Sequence, residues 1–216
     1  IAMGGDTIGD VLYFNGTDYQ RLTIGTASQH LVVNSAANAP EWASGSIIQT
    51  KHVFSSALSN TAAKFGIPNS HGIRQVAAFP NTEGTELFTL AITPKSTNNY
   101  LRFSASINFD TSVDNVMGML CLYRDAIANA LQVGIAGAGA SATSHAGDPG
   151  IMRLDHIMQV PSTSLQTYKI RVGHSAHTTT GTVYINQSTN AGAGSAAGAV
   201  WGGVNQSSLT ITEYAP

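Results

Sequence analysis

The sequence predicts an all-β chain: a jelly-roll-like β-sandwich over residues 46–216, preceded by a short β segment over residues 1–45. Three observations point there. Residues 100–109, YLRFSASINF, alternate apolar and polar side chains without a break, the period of a strand with one face buried and one wet. Short apolar runs recur along the chain between Gly, Asn, Pro and Ser clusters, the spacing of an antiparallel sandwich. Helical period is nearly absent, with single turns conceivable only at Asn60–Phe65 and Asp125–Leu131.

The elements follow in order. Gly9-Asp10 leads into a strand at Val11–Phe14, and Asn15-Gly16 is a strong two-residue hairpin signal. Tyr19–Ile24 is a second extended run closed by Gly25, and Leu31–Asn34 a third. Asn38-Ala39-Pro40 breaks the pairing before Glu41-Trp42, and Ser44-Gly45-Ser46 reads as a hinge. This segment is too short to build a core. Pieces below about 40 residues need disulfides, metals or oligomerisation to fold. It has no cysteine, and His30 alone cannot make a metal site. Other copies of the same chain are the simplest support.

Beyond residue 46 the runs lengthen. Ile47–Phe54 is followed by about thirty irregular residues, and Leu87–Thr93 is stopped by Pro94. In Tyr100–Phe109, the side chains of Leu101, Phe103, Ala105, Ile107 and Phe109 share one face. Asn115–Tyr123 is apolar on both faces and must be covered on both, with a neighbouring subunit the expected second cover. Leu131–Ile135, Ile151–Val160, Tyr168–His174, Thr182–Asn186 and Ser208–Tyr214 complete about nine strands. The small-residue stretches 136–147 and 188–203 share an AGAG core and read as loops over an end of the sandwich.

Composition narrows the function. Charged residues are only 10 % of the 216, with net charge -2 and mean hydropathy +0.03. That suits a long-lived extracellular β protein covered by hydroxyls and amides. The ten basic residues are scattered from Arg21 to Arg171, so no nucleic-acid footprint is present. No apolar run reaches the roughly 18 residues of a membrane span. Cys121 is the single cysteine; no intrachain disulfide can form, and its apolar neighbours predict an inert core thiol. The opening IAMGGDTIGD, without an initiator Met or signal pattern, reads as the start of a piece of something longer.

Gly9-Asp10, Leu12-Tyr13, Asn15-Gly16-Thr17, Arg21-Leu22, Ile24-Gly25-Thr26, Leu31-Val32-Val33 and Ala39-Pro40-Glu41-Trp42 together resemble, in the right order, a recurring element of bacteriophage tail fibres and related virion appendages. Gln29-His30 departs from it, an imidazole standing where such elements usually carry Val. The remainder resembles a C-terminal β domain often appended to them. The matching pieces are Asn81-Thr82-Glu83-Gly84, Leu90 to Pro94, Leu122 to Asp125, Asn129 to Leu131, His156 to Met158 and Leu209 to Glu213. The resemblance implies a homotrimeric virion fibre with a shaft or collar over 1–45 and a jelly-roll head over 46–216, broadly like tumour-necrosis-factor-type domains. It would be assembled with other virion proteins in the bacterial cytoplasm, and would act outside the cell on a surface glycan or protein. A purely architectural head fibre or tail connector is the alternative, and a glycan-degrading spike a further one.

Catalytic chemistry is sparse. Nucleophile-elbow, zinc-protease, P-loop and dinucleotide patterns are all missing. Glu83 and Glu86 are the only close carboxylate pair, short of the paired acids that cleave a sugar bond. Asp155-His156 and His145 with Asp148 each suggest acid–base work, and no enzyme is expected from either. His174 and His177, three apart at a strand end, could share a metal only with ligands from elsewhere, so no metal or cofactor is expected. The candidate receptor contacts are His145, Asp148, His174, His177 and the glycine-flanked Trp201. Val116, Leu120, Leu122 and Tyr123 are the candidates for the trimer interface or core.

Overall fold

A computed structural model describes residues 4–27, 29–44, 47–66, 79–112, 117–125, 127–136, 150–176, 181–188, 198–199 and 205–216. These residues are all strand, turn and coil, with no helix among them. The single helical turns expected at Asn60–Phe65 and Asp125–Leu131 are replaced by two short strands and an irregular turn. Val116, His145, Asp148, His177 and Trp201 lie outside the described residues.

Strands β1 (Val11–Phe14) and β2 (Tyr19–Leu22) form one antiparallel hairpin, and β3 (Gln29–Val33) with β4 (Pro40–Ser44) forms another. Two expectations are corrected here. The first hairpin has a four-residue loop, since Phe14 pairs with Tyr19. The Asn15 side chain accepts from the backbone N–H of Thr17 and Asp18, each at 2.8 Å, and an Asx turn of this kind displaces the two-residue turn. Pro40 does not break the pairing but begins β4 opposite Val33, a first-residue position that tolerates the missing N–H.

The remaining strands build two curled sheets. The first runs β12–β9–β17–β5, where β5 is Ile47–Ser55, β9 Tyr100–Thr111, β12 Gly150–Gln159 and β17 Ser207–Tyr214. The short strands β6 (Ser59–Thr61) and β14 (Val183–Ile185) extend it past the end of β12. The second runs β8–β13–β10–β11, made of Thr85–Ile92, Gln166–Ala176, Gly118–Arg124 and Gln132–Ala136. β7 (Lys64–Gly66) pairs in parallel with the last residues of β13. A two-stranded pair, β15 (Gln187–Ser188) and β16 (Gly198–Ala199), completes the set.

Alternation decides which side chains are buried. Leu101, Phe103, Ala105, Ile107 and Phe109 all face inward as expected, joined by Leu209 and Ile211 from β17 and Met152 and Leu154 from β12. They meet Leu120 and Leu122 of β10, Tyr168, Ile170 and Val172 of β13, and Phe88 and Ile92 of β8 in one core. The Phe103 and Tyr168 rings, 4.6 Å apart, carry that core across both sheets.

β10 is buried on both faces, and the second cover comes from the same chain. Met119, Cys121 and Tyr123 point outward under Phe65, with Phe79, Ala130 and Val133 around them. Phe65 belongs to a strap in which β6 pairs with β14 of the first sheet and β7 with β13 of the second, so residues 59–66 stitch the two sheets together. Gly84 lies against the strap and has to be glycine. Its φ is +68°, and a Cβ there would sit 2.4 Å from the Phe65 ring.

Candidate self-association and recognition surfaces

The amino-terminal segment is organised around one ring and one carboxylate. Trp42 of β4 donates its indole N–H to the Thr23 carbonyl at 2.7 Å, locking the second hairpin onto the end of the first. Gly25 lies under that indole, where a Cβ would be 2.8 Å from the ring. Asp10 accepts from Thr7 N–H and Ile24 N–H at 2.9 and 2.8 Å, and Arg21 lies 3.6 Å away. These backbone N–H bonds lead the causes that hold the Asp10 carboxyl below its usual range. The matched motif residues are therefore the joints of the segment.

What the segment lacks is a core. Ile8, Leu12, Phe14, Tyr19, Ile24, Leu31 and Val33 are all exposed, Phe14 at 56 % and Val33 at 69 %. Leu12 and Phe14 share a face of the first hairpin with Tyr19, and the Phe14 and Tyr19 rings are 5.5 Å apart. Leu31 and Val33 share a face of the second with Trp42 and Pro40. A contiguous apolar exposure on so small a piece marks an interaction surface.

A second open surface is the outer face of the first sheet. Register lines up Ser104 with Thr210 and Asp155, Arg102 with Thr212 and Ile157, and Ser106 with Ser208 and Arg153. Hydroxyls fill the middle of this face, with Thr50 and Thr212 3.5 Å apart. Apolar side chains lie along its two edges, Ile151 and Ile157 on β12, Ile47 and Phe54 on β5. Tyr100 stacks on Tyr214 at 5.6 Å, and His52 on Phe54 at 5.9 Å. The outer face of the second sheet differs, because Phe65 and Phe79 already cover part of it.

Of the expected receptor contacts, only His174 falls among the described residues, and its placement is a correction. It is fully buried, with Nδ1 3.0 Å from the Ser175 carbonyl and Nε2 without a partner. It follows Tyr168, Ile170 and Val172 on the inward-facing side of β13, so it cannot touch a receptor at the surface. Leu120, Leu122 and Tyr123 are fully buried within one chain. Their burial needs no neighbouring subunit. Tyr123 donates to the Pro80 carbonyl at 3.0 Å, and burial leads the causes that push its hydroxyl far up.

The carboxylates are committed to structure. Glu83 accepts from Gly66 N–H at 3.0 Å. Glu86 takes the Lys169 ammonium at 2.7 Å, the first cause of its lowered pKa, whereas a general acid needs a raised one. Asp155 and His156 point to opposite faces of β12: Asp155 meets exposed Arg102 at 3.4 Å, and His156 lies beside Phe103. Burial lowers the His156 pKa. The described residues hold no cluster of three or more His, Cys, Asp or Glu able to bind a metal.

Two fully buried acids, Asp110 and Glu213, went unnoticed in the sequence. Glu213 is fully buried and accepts from four neutral donors: Gln49 Nε2 and Asn99 Nδ2 at 2.6 Å, Lys95 N–H at 2.8 Å and Ser96 N–H at 3.4 Å. Its signal was its place in the alternation, two residues past Ile211 and therefore inward.

Strand register also sorts the ends of the sandwich. Ile47 and Tyr214, Ile92 and Gln166, and Tyr100 and Gln159 pair at one end. Ser55 and Ser207, Phe109 and Gly150, and Gly118 with Ala136 and His174 pair at the other. The strand ends bracketing residues 113–116, 137–149 and 177–180 thus lie away from residue 47.

No protein-family description matches the chain, and no curated protein does. Among solved structures, the chain is similar to the VP2 subviral particle of infectious bursal disease virus at 11 % identity and TM-score 0.36, over 87 % of this chain and 43 % of that one. The Gt strain of the same virus gives 11 % identity and TM-score 0.36, over 93 % of this chain and 45 % of that one. The chain spans less than half the length of either, and similarity this loose carries no argument about fold or role.

Proposed function

We propose that the chain is part of a trimeric phage fibre or spike, with residues 1–45 as shaft or collar and residues 46–216 as a jelly-roll head. The head would bind a bacterial surface glycan or protein without catalysis. The observation that carries this reading is the set of bare apolar side chains on β1, β2 and β3, in a segment whose internal joints match the fibre-type motif. Three copies wrapped about an axis would bury them, and closed symmetry is the usual way such surfaces are hidden.

The strand orders β12–β9–β17–β5 and β8–β13–β10–β11 support the jelly-roll reading, since along the chain these eight strands alternate between sheets except at the β10–β11 hairpin, and the first and last of them pair. Recognition is assigned to the end remote from residue 47, where the strands bracketing residues 113–116, 137–149 and 177–180 terminate. Hydroxyls, amides and few charges suit a sugar, and three weak sites engaging together raise avidity by about a hundredfold or more.

Light scattering tests the assembly: the full chain should run at three times its 22.5 kDa. A mass of one chain at micromolar concentration overturns the trimer. Labelled chain should stain susceptible bacteria and protect them from infection. A chain that does neither has no recognition role.

A further inference from the structure

We propose that the outer face of the β12–β9–β17–β5 sheet is a contact between copies of this chain, and that the contact is heterologous: the β12 edge of one copy packs against the β5 edge of the next. The number of copies and the head-to-tail polarity rest on the trimer reading above; the face does not.

Two observations favour this surface. The other sheet supplies its own outer cover through Phe65 and Phe79, while no described residue is packed over this one. Its exposed apolar side chains are also confined to its two edges. Ile157 at 55 % and Ile151 lie on β12, Phe54 at 55 % and Ile47 on β5, with the Ser and Thr lane between them. Those edges are three strand spacings apart, about 14 Å. Within one chain they cannot cover each other.

Charge selects the occupant. The fixed charges on the face are Arg102, Asp155 and Arg153, and the first two pair with each other at 3.4 Å. Little field remains to attract an acidic or basic partner, and the hydroxyl lane is too polar for lipid. A second copy, with the same sparse charge and the same apolar edges, matches it. Polarity follows from symmetry. Two distinct edges on one face let each copy present one and receive the other, and rotation closes such a contact into a ring. A two-fold contact about an axis along the strands would pair the same two edges but close at two chains, so a double variant that stops at two linked chains overturns the ring.

The test uses the full chain with Ile157→Cys, Phe54→Cys, and both together, treated with a short bis-maleimide and read on denaturing gels. The native Cys121 is fully buried and unreactive in the folded chain. The double variant should give covalent species of two and three chains, and each single variant should remain one chain. Dimers from either single variant overturn the head-to-tail geometry. A double variant that stays single while scattering shows a multimer overturns the face and leaves the trimer standing. As a second readout, Ile157→Asp should speed amide exchange in β5, three strands away in its own chain, with an unchanged circular dichroism spectrum; unchanged exchange in β5 counts against the face.

Discussion

Replacing Glu213 with Gln isolates what one buried carboxylate does for this fold. Its Oε1 accepts from Lys95 N–H, Ser96 N–H and Asn99 Nδ2, and its Oε2 from Gln49 Nε2. These donors tie the β8–β9 turn, β5 and β17 to one point. Gln keeps the shape but has one acceptor oxygen. If that oxygen serves the three donors on the turn, the new amide group meets Gln49 donor to donor. The loss is one charge-assisted hydrogen bond, about 1.5–3 kcal/mol, and the weakening of three others. We expect Glu213→Gln to cost about 3 kcal/mol at pH 7, seen as a lower denaturant midpoint at unchanged slope and fixed protein concentration.

Acidity supplies the second half of the test. Burial alone would raise the Glu213 pKa, but the donors from Gln49, Asn99, Lys95 and Ser96 outweigh it and hold the group below its ordinary value. Stability from a lowered carboxyl pKa is fully present above the unfolded value, about 4.3, and is lost as pH falls through the folded one. The gap between wild type and variant should therefore be full at neutral pH and narrow in strong acid. Equal midpoints at pH 7, or a gap unchanged by acid, would refute this account.

Four further substitutions probe the joints of the fold. Tyr123→Phe removes the hydroxyl that donates to Pro80 and should cost about 1 kcal/mol, whereas Tyr168→Phe removes a buried hydroxyl with only the Arg124 side chain near it and should cost less; unfolding curves that rank the pair the other way contradict the assignment. Phe65→Ala should cost about 3–5 kcal/mol, and faster amide exchange should appear in β7 and β10 before the inter-sheet core; uniform acceleration would mean the strap is not a separate unit. Trp42→Phe keeps a ring but loses the bond to Thr23, so hydrogen exchange should quicken in residues 4–44 alone, by about 1 kcal/mol of local stability.

Much of the fold was legible wherever one rule acted alone. The β9 alternation named its five inward residues because nothing but the pleat decides them. Burial of β10 on both faces was equally readable, yet its second cover was not. Phe65 and Phe79 lie in what reads as irregular text, and only the parallel pairing of β7 with β13 brings Phe65 to the outer face of β10. His174 was misjudged for a related reason. Its type suggests a polar surface, but its position continues the inward series of Tyr168, Ile170 and Val172, and register outranks polarity inside a strand. Pro40 likewise read as a stop because its missing N–H was weighed without asking whether a strand's first residue uses it.

The pairing of β5 with β17, from Ile47 opposite Tyr214 to Ser55 opposite Ser207, has a consequence in time. About 150 residues separate the partners along the chain, and ribosomes deliver them at about 5–20 residues per second. β5 therefore leaves the ribosome about 10–30 s before its neighbour exists. Such an interval with an open edge invites pairing with the wrong chain. The run Gln49-Thr50-Lys51-His52 in the middle of β5, polar where a core strand would be apolar, is what lets the newborn strand wait in water.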